Sequence, residues 1–168
     1  MSTLKLYFAY GSNLNIEQMA YRCPAAKPLK RFIMPDMRLV FRGVADVIEE
    51  PGATCPGGLW LITPDCEAAL DLYEGIRSGM YRKVEVKLPE PIYGATHVMY
   101  YAMNSTGIFP PSFHYLAGIR QGYRDFKLKQ KPLNDAVAAA YDDKAPSHRE
   151  RQRHMRNGRP RLAPRPSC

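Results

Sequence analysis

Apolar and polar positions change period several times along the chain, and each change marks the edge of an element. Leu4 to Ala9 is a short aromatic run closed by Gly11, which predicts a strand. Asn15 to Tyr21 suits a short helix, with Asn13 or Asn15 as its cap and Pro24 as its stop. Met37 to Glu50 is β-branched and aromatic enough for one strand, with Gly43 a bulge or bend inside it. Pro51-Gly52 then turns the chain, and Gly57 to Thr63 is a continuous apolar run, as in a strand buried on both faces.

The period next becomes helical. Thr63 is placed to cap, Pro64 fits the first helical position, and Asp65 and Glu67 lie near the positive end. Cys66, Ala69, Leu70 and Tyr73 fall on one face, and Gly75 ends the helix. From Tyr81 to Leu88, Val84, Val86 and Leu88 alternate with Lys83, Glu85 and Lys87, the pattern of a half-buried strand. Ala95 to Met103 predicts another strand after a turn over Pro89 to Gly94. Ser112 caps a helix to about Gly122, and Leu133 to Tyr141 forms a last one. Five strands and three or four interspersed helices make an α+β domain. The pattern shows no internal repeat and states neither pairing nor closure.

Composition narrows the setting. The 168 residues and 45% hydrophobic content support one globular core without disulfide staples. Cys23, Cys55, Cys66 and Cys168 are scattered, which excludes a spaced zinc site and fits unpaired thiols in a reducing compartment. The start, Met1 to Lys5, has no leader pattern, and no apolar run reaches membrane-spanning length. A cytoplasmic location without membrane contact is therefore expected, and the glycosylation match at Asn104-Ser105-Thr106 carries no weight there.

The net charge of +8 matters once it is located. From Lys144 onward the chain holds one Lys, seven Arg and one Glu, a balance of +7 that leaves +1 for everything before it. The expected organisation is a domain over 1–143 and a basic, flexible tail over 144–168. That tail is either a solvated extension or a weak contact for nucleic acid or an acidic surface.

Familiar catalytic signatures are absent: no phosphate loop, dinucleotide glycine pattern, H-E-x-x-H or nucleophile elbow occurs. His97, His114, His148 and His154 lack ligand spacing, so neither a metal nor another cofactor is expected. Two stretches remain. In Tyr7-Phe8-Ala9-Tyr10-Gly11-Ser12-Asn13, the break after the strand is a plain connection, a nest of N–H groups for an anion, or a setting for a Ser12 nucleophile. No sequence signal supplies that serine with a base. In "LDLYEGIRSGMYRKVEV", Glu74 ends a helix, where the macrodipole and apolar neighbours such as Tyr73 and Tyr81 disfavour its charge. The plainer alternative is a surface carboxylate paired with Arg77 or Arg82.

"LYFAYGSNL", "YEGIRSGMYRKVEVK" and "PPSFHYLAGIRQG", in this order and spacing, resemble the gamma-glutamylcyclotransferase family over about residues 4–123. The resemblance implies a small mixed β-barrel with surrounding helices, and a small-molecule gamma-glutamyl substrate that loses an amino acid or amine as 5-oxoproline forms. It implies Glu74 as catalytic acid/base, the segment Tyr7, Phe8, Ala9, Tyr10, Gly11 and Ser12 as substrate-binding loop, and Tyr115 as a substrate contact. Some members of the family are homodimers, so a second copy is among the expected partners. Gamma-glutamyl amines, gamma-glutamyl-protected natural products, and loss of catalysis in favour of a binding module stay open as alternatives.

Overall fold

The computed structural model describes residues 4–156, with side chains described for 4–143. Met1 to Thr3, Cys168 and the end of the basic tail, 157–168, lie outside the described residues. In chain order the elements are β1 (Lys5–Ala9), a 3-10 turn (Ser12–Leu14), α1 (Ile16–Arg22), β2 (Lys27–Phe41) and β3 (Ala45–Ile62). There follow α2 (Pro64–Tyr73), β4 (Tyr81–Ile92), β5 (Ala95–Met103), α3 (Phe113–Asp125) and α4 (Lys131–Arg156). The strands form one sheet in the order β2-β3-β1-β5-β4. It is mixed, because β1 runs antiparallel to β3 and parallel to β5. The α+β class holds, while the expected barrel is a loose description of an open sheet with β2 and β4 at its edges.

Two expected features exchange roles. Gly43 is the corner of the β2–β3 hairpin rather than a bulge within one strand, at φ +81°, which glycine adopts without a Cβ penalty. Pro51-Gly52 is a bulge inside β3 rather than a turn between strands. Pairing jumps there from Pro35 with Thr54 to Met37 with Glu49, and Gly52 N–H donates to Asp36 Oδ1 at 2.8 Å. The pattern leaves 27–36, the part of β2 that holds its two prolines, unassigned. Its place at the sheet edge tolerates both, since an edge strand lacks a neighbour on one side.

The core is centred on β1, where Leu6 and Phe8 are fully buried together with Trp60, Tyr101 and Leu59. α2 forms as its caps require: Thr63 Oγ1 accepts from Cys66 N–H and Pro64 occupies the first turn. Its buried face is narrower than expected. Cys66 and Leu70 are inside, while Ala69 is exposed and Tyr73 half-exposed. Ion pairs complete its seat on the sheet. Lys83 of β4 meets Glu67 at 2.6 Å and Asp71 at 3.0 Å, and Lys5 of β1 meets Glu67 at 2.9 Å. Tyr101 of β5 donates to Asp71 at 2.7 Å. These contacts fix the axis along which the end of α2 points.

α3 lies across the start of α1. Asn15 caps α1 by accepting from Gln18 N–H, and its own amide donates to Gly118 O at 3.2 Å. Ile16 N–H reaches Asp125 at the far end of α3. Among the described residues no helix is long and apolar enough to cross a membrane.

Candidate active site

Three chain reversals meet at one end of the sheet: the exit of β1 into the 3-10 turn, the exit of α2, and the β2–β3 corner. They enclose a cavity of about 170 Å³. β1 and its exit contribute Tyr7, Tyr10 and Gly11, the 3-10 turn contributes Ser12 and Asn13, and α2 contributes Tyr73 and the adjoining Glu74. Tyr81, Tyr101, Tyr115, Val44, Ala45 and Met80 close the remaining walls. The wall is therefore mainly phenol with one carboxylate.

Glu74 reaches this cavity because α2 ends there. Its N–H still donates to Leu70 O at 2.8 Å, and Gly75 then turns at φ +65°. Glu74 pairs with neither arginine that sequence proximity offers. Arg82 donates instead to Met103 O and Asn104 Oδ1, and Arg77 is exposed. Glu74 Oε1 accepts from Asn13 Nδ2 at 3.2 Å. Burial pushes its carboxyl up to about 7, against the lowering pull of the Arg22 charge and the Asn13 hydrogen bond. A carboxyl in that range holds or releases a proton near neutrality, as a general acid/base requires.

Around it burial keeps the Tyr7, Tyr10, Tyr81, Tyr101 and Tyr115 phenols neutral. Burial first, and the Glu74 charge second, raise Tyr7 well above its ordinary value; burial pushes Tyr115 up to about 12. Tyr115 comes from the first turn of α3, which Ser112 caps. Its Oη accepts from Ala45 N–H at 3.0 Å, leaving the hydroxyl hydrogen for another partner. At Gly11 a Cβ would stand 3.0 Å from Ala45 Cβ and 3.4 Å from Tyr115 Oη, so the bare backbone is what lets these three groups close together.

The sequence-derived candidates thus separate. Tyr7, Tyr10, Gly11, Ser12, Glu74 and Tyr115 converge on the cavity wall. Phe8 and Ala9 do not line it: both are completely buried, with the Phe8 ring packed edge-on against Phe32. The Phe8 ring lies 6.3 Å from that of Tyr10 but is turned into the core, and Ala9 is taken up by strand packing. Ser12 Oγ accepts from Arg22 at 3.2 Å, and a guanidinium cannot take up a serine proton, so the serine has no base there. Among the described histidines, His97 and His114 are exposed and line no part of the cavity. Sequence reading placed Tyr81 beside Glu74 as an apolar neighbour, but missed Asn13 as a hydrogen-bond partner of Glu74, and missed Arg22 and Tyr101. For Arg22 a signal existed: Gln18 and Arg22 are four apart on a helix and so share a face.

Comparison with known proteins gives concordant matches. The family described as gamma-glutamyl cyclotransferase, AIG2-like, matches residues 7–117. A gamma-glutamylcyclotransferase of Bos taurus is 31% identical over 154 residues, covering 83% of this chain and 82% of its own. One of Homo sapiens is 31% identical over 132 residues, covering 71% and 70%. The solved structure of a gamma-glutamyl cyclotransferase superposes with a TM-score of 0.70 at 28% identity, over 81% of this chain and 88% of that one.

Proposed function

We infer the reaction from one premise: the chain belongs to the gamma-glutamyl cyclotransferase, AIG2-like family. It acts as a gamma-glutamyl cyclotransferase, an enzyme on small gamma-glutamyl compounds. In the mechanism proposed here, the substrate supplies its own nucleophile. Its α-amine, with a pKa of roughly 8, is mostly protonated near neutrality and must lose a proton to attack. Glu74 takes that proton, and the free amine closes a five-membered ring on the γ-carbonyl. The tetrahedral oxyanion then collapses: Glu74 returns its proton to the departing nitrogen, the C–N bond breaks, and the ring nitrogen sheds its second proton, which the released amine takes up to leave as an ammonium. The products are 5-oxoproline and a free amino acid or amine, with no water consumed.

The observation that carries this reading is the placement of Glu74, a carboxyl raised to about 7 in a phenol-lined cavity. A base whose pKa lies close to that of its target transfers a proton with little loss in either direction. The other walls have compatible roles. Gly11 puts bare backbone at the wall, and the first N–H groups of the 3-10 turn have no acceptor within it, so they can hold an oxyanion or the α-carboxylate. The spare hydroxyl hydrogen of Tyr115 orients the glutamyl chain, whose productive rotamer is one of several.

Glu74→Gln tests the assignment. The variant keeps the shape and the Asn13 contact but cannot accept a proton, so release of 5-oxoproline from gamma-glutamyl-alanine should fall by about 10²–10⁴-fold. Turnover at the wild-type rate removes Glu74 from the mechanism. A parallel series with gamma-glutamyl amines and glutathione reads the leaving group that the cavity accepts.

A further inference from the structure

The contacts of Arg22 fix more than its own position. It sits in the last turn of α1 with its guanidinium 4.0 Å from the centre of the Tyr73 ring. Nη1 donates to Asn13 Oδ1 at 2.6 Å and to Ser12 Oγ at 3.2 Å, and Nη2 donates to Gln18 Oε1 at 3.0 Å. Arginine has donors only, so the Asn13 atom facing it must be the carbonyl oxygen. The NH₂ group of that amide is therefore turned the other way. It donates to Glu74 Oε1 at 3.2 Å and to Tyr7 Oη at 2.9 Å.

Tyr7 consequently accepts in this contact, and its own O–H hydrogen is not used by Asn13. Among the described residues Asn13 is its only hydrogen-bond partner. With Tyr7 on the cavity wall, that hydrogen is left for whatever occupies the cavity.

We propose that Arg22 is a positioning residue for catalysis: it locks the orientation of the Asn13 amide, so that one N–H group holds the Glu74 carboxylate and Tyr7 must present its hydroxyl hydrogen to the substrate. The acceptor this donor suits is an oxygen that gains negative charge, the γ-carbonyl oxygen as the amine attacks. Without the guanidinium the amide is free to turn over. Its oxygen would then face Glu74 and Tyr7, repelling the carboxylate and drawing the Tyr7 hydrogen away from the substrate. This rests on the reading of Glu74 as the general acid/base.

Charge gives the clamp its own signature. The groups around Glu74 are Arg22 from α1, Tyr7 and Tyr10 from β1 and its exit, Tyr81 from β4 and Tyr115 from α3. Arg22 is the only cation in that set and acts to keep the carboxyl lower than burial alone would place it.

The test pairs kinetics with a titration that needs no turnover. The Glu74 carboxyl is followed by ¹³C NMR in glutamate-labelled protein, with Glu74→Gln identifying its signal. In Arg22→Gln the titration should move to higher pH, and kcat should fall by about 10²-fold, the usual cost of a misplaced group. Arg22→Lys should restore the titration more fully than the rate, because it returns the charge without the planar fork. Tyr7→Phe should cost about 10²–10³-fold in kcat, and adding Arg22→Gln to it should cost much less than it does alone.

An unmoved titration in Arg22→Gln, or independent effects of Arg22→Gln and Tyr7→Phe, overturns the proposal. If Arg22→Gln fails to fold, Asn13→Asp replaces it. That variant keeps an acceptor for Arg22 but removes the donor to Glu74, so the titration should again move up; an unmoved one overturns the proposal equally. Should the wild-type protein turn over no gamma-glutamyl compound while the titration moves as expected, the functional reading fails and the Arg22 clamp stands.

Discussion

At the scale of single residues, the group that gives the site its chemistry also weakens the fold. An unfolded glutamate titrates near 4.5, whereas in the folded protein burial raises Glu74 to about 7. Between those values the folded state binds more protons than the unfolded one, so stability falls as pH rises through that window. The stabilisation is fully present below about pH 4.5 and lost above about 7. At 1.36 kcal/mol per unit the rise amounts to about 3 kcal/mol at most. Glu74→Gln, neutral at every pH, should therefore be more stable than the wild type at pH 8 by about 1–3 kcal/mol, with the difference fading by pH 4. Urea unfolding of both proteins at the two pH values checks this. Equal stability at pH 8 would mean that the ionised carboxylate is better solvated than its surroundings suggest.

At the scale of elements, the cavity depends on how closely α3 approaches the 3-10 turn. A Cβ at Gly122 would stand 2.5 Å from Leu14 Cβ, 2.6 Å from the Leu14 carbonyl carbon and 2.7 Å from Asn15 N. At Gly118 it would meet only the Gln18 side chain, at 2.7 Å. Helix propensity favours alanine at both by about 1 kcal/mol. The Gly122 clash is with backbone that cannot give way, so overpacking of about 1–3 kcal/mol should win there. Gly122→Ala should lower the melting temperature and, by shifting α3 and its Tyr115, reduce kcat/KM. Gly118→Ala should be within about 1 kcal/mol of neutral. Thermal melts and 5-oxoproline release on both variants separate the two effects.

Sequence patterning captured elements wherever local chemistry decides. α2 is legible from Thr63, Pro64 and Gly75, and β4 from the alternation after Tyr81. It failed where a neighbour decides. Gly43 and Gly52 both have left-handed backbones. Which of them turns the chain and which merely bulges depends on how β2 pairs with β3. Glu74 and the 3-10 turn were recognisable as motifs, but their meeting through Asn13 spans 61 positions. The role of Arg22 depends on the fork geometry of its donors, and no local pattern encodes that.

At the scale of the whole molecule, charge and core divide along the chain. The last 25 residues carry +7 of the net +8, and among the described residues none of α4 lines the cavity. α4 matters to the fold through its first turns, where Leu133 and Ala140 are completely buried. A cut after Asp143 keeps both, although α4 continues to Arg156. We therefore propose that catalysis resides in 1–143 and that the basic segment contributes only electrostatic attachment. Because the described cavity wall lies wholly within 1–143, kcat/KM of the truncated chain should stay within about 2-fold of the full chain. Retention on an immobilised polyanion, by contrast, should drop sharply, and for the full chain it should weaken steeply with salt, because counterions released into more concentrated salt gain less entropy. A tenfold loss of turnover on truncation would place the basic segment in the catalytic unit. Equal retention of both chains would move the polyanion contact onto the domain, whose own balance is only +1.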